Sequence, residues 1–192
     1  MLWRRGSSLP EELTVQRRAS LAVAEQAARF FRAPSRAGAY AAHQAGLEAR
    51  RASAAAAAAL AGRRDWLEIS RRLAEGAREL AAGVAEASRF DVGDASGLAG
   101  GAAGLRSCGR ELEKALSILA REAPDEETLV AAKRWALVAQ RRLRLARTAA
   151  LDGPGAVRDL KVRTVLQRLD AAVEAWQRAA DCAAESIGSP VK

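Results

Sequence analysis

Histidine is almost missing from this chain: His43 is the only one in 192 residues. Cysteine is nearly as scarce, with Cys108 and Cys182 far apart and no Cys-x-x-Cys or Cys/His spacing. Together these absences argue against a zinc site and a disulfide framework. They also leave no Ser/His/Asp or Cys/His set, so enzymatic chemistry is not expected. The glycine-rich stretch "GLAGGAAG" lacks both the lysine and the hydroxyl of a phosphate-binding loop. Aromatic residues make up only 4%, prolines number five, and β-branched residues are few. A sheet protein needs the β-branched and aromatic side chains that are lacking here. No uncharged apolar run reaches the ~18 residues of a membrane span. The opening "MLWRRGSSLPEEL" has no apolar core of signal-peptide length, so a cytoplasmic location is expected.

What is abundant is alanine and arginine. Lysine occurs only at 114, 133, 161 and 192, which leaves 27 of the 31 basic residues as arginine. Apolar residues at 49% with charged residues at 28% argue for a folded chain, and alanine is the best helix former. The expected class is all-α. A formal net charge of +8 and a pI near 10.6 raise nucleic acid or an anionic membrane as partners. Acids and bases are nevertheless interspersed over most of the chain.

Six helical segments are predicted. The first spans about 10–32 and stops at "APS", where Pro34 disfavours continuation. The second, about 36–61, contains six consecutive alanines and ends at Gly62 as a C′ glycine. The third opens at "DWLE", with Asp65 as cap and Glu68 reaching back in a capping box, and runs to about Ser88. "RFDVGDASG" is a central loop. The fourth, about 97–122, is weakened by Gly100, Gly101 and Gly104, so a start near Leu105 is the alternative. The fifth restarts at "APDEE" and ends at "DGPG". The sixth, about 157–188, carries an inner stripe of Val162, Leu166, Leu169, Val173, Trp176, Ala180, Ala183 and Ile187. Cys108 falls on the apolar stripe of the fourth helix and reads as a small buried hydrophobe.

A second stripe lies 96 residues earlier: Trp66, Ser70, Leu73, Ala77, Leu80, Val84 and Ala87. With the central loop, this offset predicts a single domain over 1–192 built from two three-helix repeats, about 10–90 and about 97–188.

"GRRDWLEISRRLAEGAREL" at 62–80, "LRSCGRELEKALSILARE" at 105–122 and "LDAAVEAWQRAAD" at 169–181 follow one another in an order that resembles the PhoU-like family. The branch in question accompanies Pit-type phosphate permeases. The resemblance covers roughly residues 10–188. It implies a six-helix bundle and a non-enzymatic accessory or regulator of inorganic phosphate transport. It also implies docking on the phosphate permease from the cytoplasmic side, peripheral to the inner membrane. Long alanine-lined helices bury little area each, which favours self-association into a homodimer.

Many relatives in the wider family hold metal clusters with repeated E/DxxxD carboxylates. Carried over residue by residue, that motif is degenerate here. Asp170 and Glu174 match acidic positions in the last helix. In the third helix only Glu75 remains, with Ala74 beside it and Arg78 in place of a further acid. The second helix offers Glu48 and the fifth none. Neither a metal nor another cofactor is expected, and Asp170, Glu174 and Glu75 are vestigial candidates. Glu174 has Arg178 one turn on, and that pair accounts for it without a ligand.

One segment is lopsided. Between Thr128 and Leu151 stand Lys133, Arg134, Arg141, Arg142, Arg144 and Arg147, with no acid. Arg134, Arg141 and Arg144 share a side at helical spacing. They are candidates for an anion- or partner-binding face, since arginine forks suit phosphate and carboxylate; a solvated face in an arginine-rich protein is the plainer reading. Two other functions stay open: a helical scaffold or adaptor unrelated to phosphate, and a basic binder of nucleic acid or membrane surface. Nucleic acid is the less expected partner, because neither groove-reading geometry nor stacking aromatics can be recognised.

Overall fold

A computed structural model describes residues 11–95, 97–119, 126–151 and 156–188. They form α1 (Glu11–Arg32), α2 (Arg36–Ala59), α3 (Arg64–Phe90), α4 (Leu98–Leu119), α5 (Glu126–Leu151) and α6 (Ala156–Gly188). No strand occurs among the described residues, and the all-α expectation is met in all six segments. The "APDEE" restart up to Asp125 and the "DGPG" breaker lie outside the described residues, as does the Ile187 side chain.

The helix ends depart from expectation in instructive ways. Ser35, read only as part of a stop, caps α2: it is extended at φ −156°, and its hydroxyl accepts from the Gly38 N–H at 3.0 Å. Gly62 does turn left-handed at φ +84°, but it follows the Leu60 cap by two residues. The capping box at Asp65 and Glu68 does not form. Arg63 holds the cap position without a side-chain bond, Asp65 falls in the first turn, and Glu68 instead pairs with Arg72 at 2.8 Å. Asp91 leaves α3 with φ +55°. The Val92 N–H then donates to the Ala87 carbonyl at 3.0 Å and the Asp91 N–H to that of Ser88 at 3.4 Å, closing the last turn without a glycine.

The glycines at the start of the fourth helix do not delay it, and α4 begins at Leu98. They are there for approach. A Cβ on Gly104 would come 2.8 Å from the Ala139 Cβ and 2.9 Å from its Cα, and one on Gly101 would overlap the Leu143 side chain. Small residues bring α4 and α5 nearly backbone to backbone, and that packing outweighs the weak helix propensity of glycine.

The most extensive pairing is between α3 and α6, which run antiparallel with Gly76 against Trp176 and Gly83 against Leu169. α1 packs on α2, α3 and α4, and α4 on α1, α5 and α6. Among the described residues, α2 touches only α1 and α3, and α5 only α4 and α6. Trp176 is 1% exposed and anchors the centre. Its indole lies over Gly76, where a Cβ would overlap Cδ1 and Nε1, and its far edge meets Gly109 of α4. Nε1 donates to the Leu73 carbonyl at 3.3 Å. Cys108 is fully buried, as expected, and burial pushes its thiol up to about 12.

Two substitutions probe these contacts. Gly104→Ala adds intrinsic helix propensity worth about 1 kcal/mol, yet the overlap with Ala139 should lower stability by about 1–3 kcal/mol net. Trp176→Ala should cost about 3–5 kcal/mol by leaving a cavity between Gly76 and Gly109. Urea unfolding of the full chain measures both, and an unchanged midpoint for Gly104→Ala would contradict the close α4–α5 approach.

Candidate functional site

The six bases of the lopsided segment do not converge on one point. α5 buries a single stripe, which includes Ala132, Ala136, Ala139 and Leu143, and the bases fan out around the rest of the helix. Lys133 turns to α6 and pairs with Asp181 at 2.7 Å. Arg142 turns to α4, where its Nη1 donates to the Gly100 carbonyl at 3.3 Å. Arg144 and Arg147 lie near Asp170 of α6, within reach of its field. Arg134 and Arg141 point outward and make no ion pair among the described residues. The set therefore splits into a strut to each neighbouring helix, a flank beside Asp170, and an outer row.

The vestigial metal candidates are not brought together either. Glu75 of α3 bonds Arg72 at 3.0 Å, and Arg72 also holds Glu68. Glu174 stands 3.8 Å from Arg178, the expected i,i+4 partner. Among the described residues, no group of three His, Cys, Asp or Glu side chains could hold a metal ion. Asp170 is the unusual member. Its Oδ1 is buried and accepts no hydrogen bond among the described residues. Burial pushes its carboxyl up; Glu174 adds to that, while Arg147 and Arg144 oppose it without cancelling it. A carboxylate in that position, beside two guanidinium groups, is poorly suited to attract a further cation.

Cavities offer little alternative. A narrow crevice of about 10 Å³, the size of one water, lies among Arg17, Ser20, Gly109, Glu113 and Trp176. A shallow hollow of about 190 Å³ between α1 and α2 is lined by Glu11, Glu12, Val15, Ala52 and Ala55. Both fall below the roughly 300 Å³ at which small-molecule pockets begin.

Sequence reasoning passed over the buried polar groups of α1. Gln16 is fully buried; its Nε2 donates to Ser53 Oγ at 3.0 Å and to the Ser70 carbonyl at 2.8 Å, while Ser70 Oγ donates back to Oε1 at 2.7 Å. This knot ties α1, α2 and α3 together, and it explains Ser70 on an otherwise apolar stripe. Arg17 is also buried, with Nη1 donating to Ser117 Oγ at 3.0 Å and Nη2 lying 3.9 Å from Glu113 Oε1. The signal was present in the spacing: Leu13, Gln16, Arg17, Ser20, Val23 and Ala24 follow the helical period inward.

No protein-family profile, curated protein or solved structure matches this chain.

Burial makes Asp170 a pH-dependent element. Because its carboxyl is held above the ordinary value, the folded chain keeps that proton more readily than the unfolded one. The associated stability is present below pH about 4 and is lost as the pH rises through the raised value. Asp170→Asn should therefore stabilise the protein at neutral pH, by less than about 1 kcal/mol because the group is only partly buried and is screened by solvent. The gain should vanish in acid. Urea midpoints at neutral and acidic pH test this, and a loss of stability at neutral pH would mean that Arg144 and Arg147 dominate instead.

Proposed function

We propose that this chain is a non-enzymatic accessory protein of inorganic phosphate transport: a PhoU-like bundle with decayed metal motifs that contacts a Pit-type permease from the cytoplasmic side. The observation that carries the reading is the packing scheme. Advancing every helix label by three carries α1–α2, α2–α3 and α1–α3 onto α4–α5, α5–α6 and α4–α6, and all six pairs are in contact. The cross-contacts α1–α4 and α3–α6 map onto themselves. Arg17 and Glu113, which meet across α1–α4, are 96 residues apart, the same offset that relates the stripes of α3 and α6. A pair of equivalent positions in contact is what a two-fold relation between three-helix repeats produces on its axis. This supports the two-repeat architecture that the 96-residue offset predicts.

Regulation in this reading works by surface contact. The inner seams are packed mainly with alanine, leucine and valine, so recognition in this reading falls to the outer faces of the flanking helices. The same logic sets aside the cluster chemistry of metal-holding relatives, since Glu75, Asp170 and Glu174 are drawn to arginines or left apart.

The test is co-purification of the tagged chain with a Pit-type permease encoded beside it, in detergent. Capture of the permease, with a changed rate of phosphate uptake in cells lacking this chain, is the expected result. Failure to co-purify together with unaltered uptake would leave a helical scaffold unrelated to phosphate as the better description.

A further inference from the structure

Of the nine large apolar side chains exposed among the described residues, five stand on α5 and two more, Val157 and Leu160, at the start of α6. At 100° per residue, Val130, Leu137, Val138 and Leu145 occupy the arc of α5 opposite its buried stripe, and Arg134 and Arg141 fall among them. Leu137 is 54% exposed and Leu145 63%. A merely solvated helix face has no use for leucines at its crest, and a purely electrostatic face has no use for them beside arginines.

We propose that the outer face of α5 is a membrane-interface site for an anionic lipid bilayer, with Arg134 and Arg141 on headgroup phosphates and the leucine and valine tips in the acyl boundary. This goes beyond contact with a permease and stands on the helix alone. Three observations favour a lipid surface over other occupants. Among the described residues α5 packs only on α4 and α6, so its outer side forms a convex ridge, about 22 Å long from Val130 to Leu145. A ridge suits a plane better than it suits a peptide, which seeks a groove. Next, the segment from Thr128 to Leu151 contains no acid, so a second copy packed α5 to α5 would set arginine against arginine with no carboxylate from that segment to receive it. Finally, basic residues interleaved with protruding apolar tips match the shallow binding of interfacial helices, where apolar burial and attraction to anionic lipid act together. No described helix is long and apolar enough to cross a membrane, so the contact is peripheral.

Sedimentation of the full chain with vesicles tests the assignment, comparing phosphatidylcholine alone with phosphatidylcholine doped with phosphatidylglycerol. Binding should require phosphatidylglycerol and weaken as salt rises. The combined Arg134→Gln and Arg141→Gln variant should partition about thirtyfold less. Leu137→Gln with Leu145→Gln should lose about tenfold while keeping both arginines. Both variants sit on the surface, and circular dichroism should report unchanged helix content and melting. Equal pelleting with phosphatidylcholine alone, or undiminished binding by the leucine variant, would overturn the proposal. So would a dimer in lipid-free sedimentation velocity that the leucine variant dissociates, because the occupant would then be a second copy. The detergent capture of a permease contains no bilayer, so its outcome is independent of this one.

Discussion

The indole of Trp176 is the wedge on which the bundle depends. It needs a slot, and the slot exists because Gly76 of α3 and Gly109 of α4 carry no side chains. Its ring nitrogen would be an unmet donor in so dry a place, and the Leu73 carbonyl accepts from it at 3.3 Å. One side chain thus sets the separation of α6 from both α3 and α4. The Gln16–Ser53–Ser70 knot joins α1, α2 and α3 near one end, and the glycine seam of α4 draws α5 close. A polar knot that satisfies its own donors in the interior costs little, and it selects one register among many that alanine surfaces would tolerate.

Seams this tight decide where chemistry can occur. Alanine and glycine interfaces exclude the long acidic side chains that a metal cage requires, and the crevice beside Trp176 is no larger than a water. Charged residues are pushed to the margins of the seams, where several tie one helix to the next. Arg168 of α6 bridges Glu79 at 2.9 Å and Glu86 at 3.1 Å along α3; Arg110 reaches Glu25 at 2.8 Å; Lys133 reaches Asp181. On the outer side of α5, Arg134 and Arg141 make no ion pair among the described residues and stand beside apolar side chains that the bundle itself does not cover.

Much of the architecture was legible beforehand. The absence of strand-forming residues pointed to helices, the stripe from Val162 to Ala183 is buried as its spacing required, and Cys108 lies inside. Errors gathered where backbone detail competes with local chemistry. Asp65 and Glu68 spelled a capping box, yet Glu68 found a better partner in Arg72 one turn ahead. Gly100, Gly101 and Gly104 looked like a weak helix start because propensity counts only the isolated helix. Their purpose became visible only with Ala139 and Leu143 beside them.

The candidate site was legible in kind but not in arrangement. Composition alone determined that the chain is helical, poor in imidazole and thiol, and basic along one segment, because those properties are sums over residues and periods of 3.6. Which of six bases faces α6, which faces α4 and which faces outward was decided only by tertiary packing, since a helix presents every direction until its neighbours cover some of them. Lys133 and Arg134 are adjacent in the chain and differ by about 100° around the axis, and that angle separates an internal strut from an exposed cation.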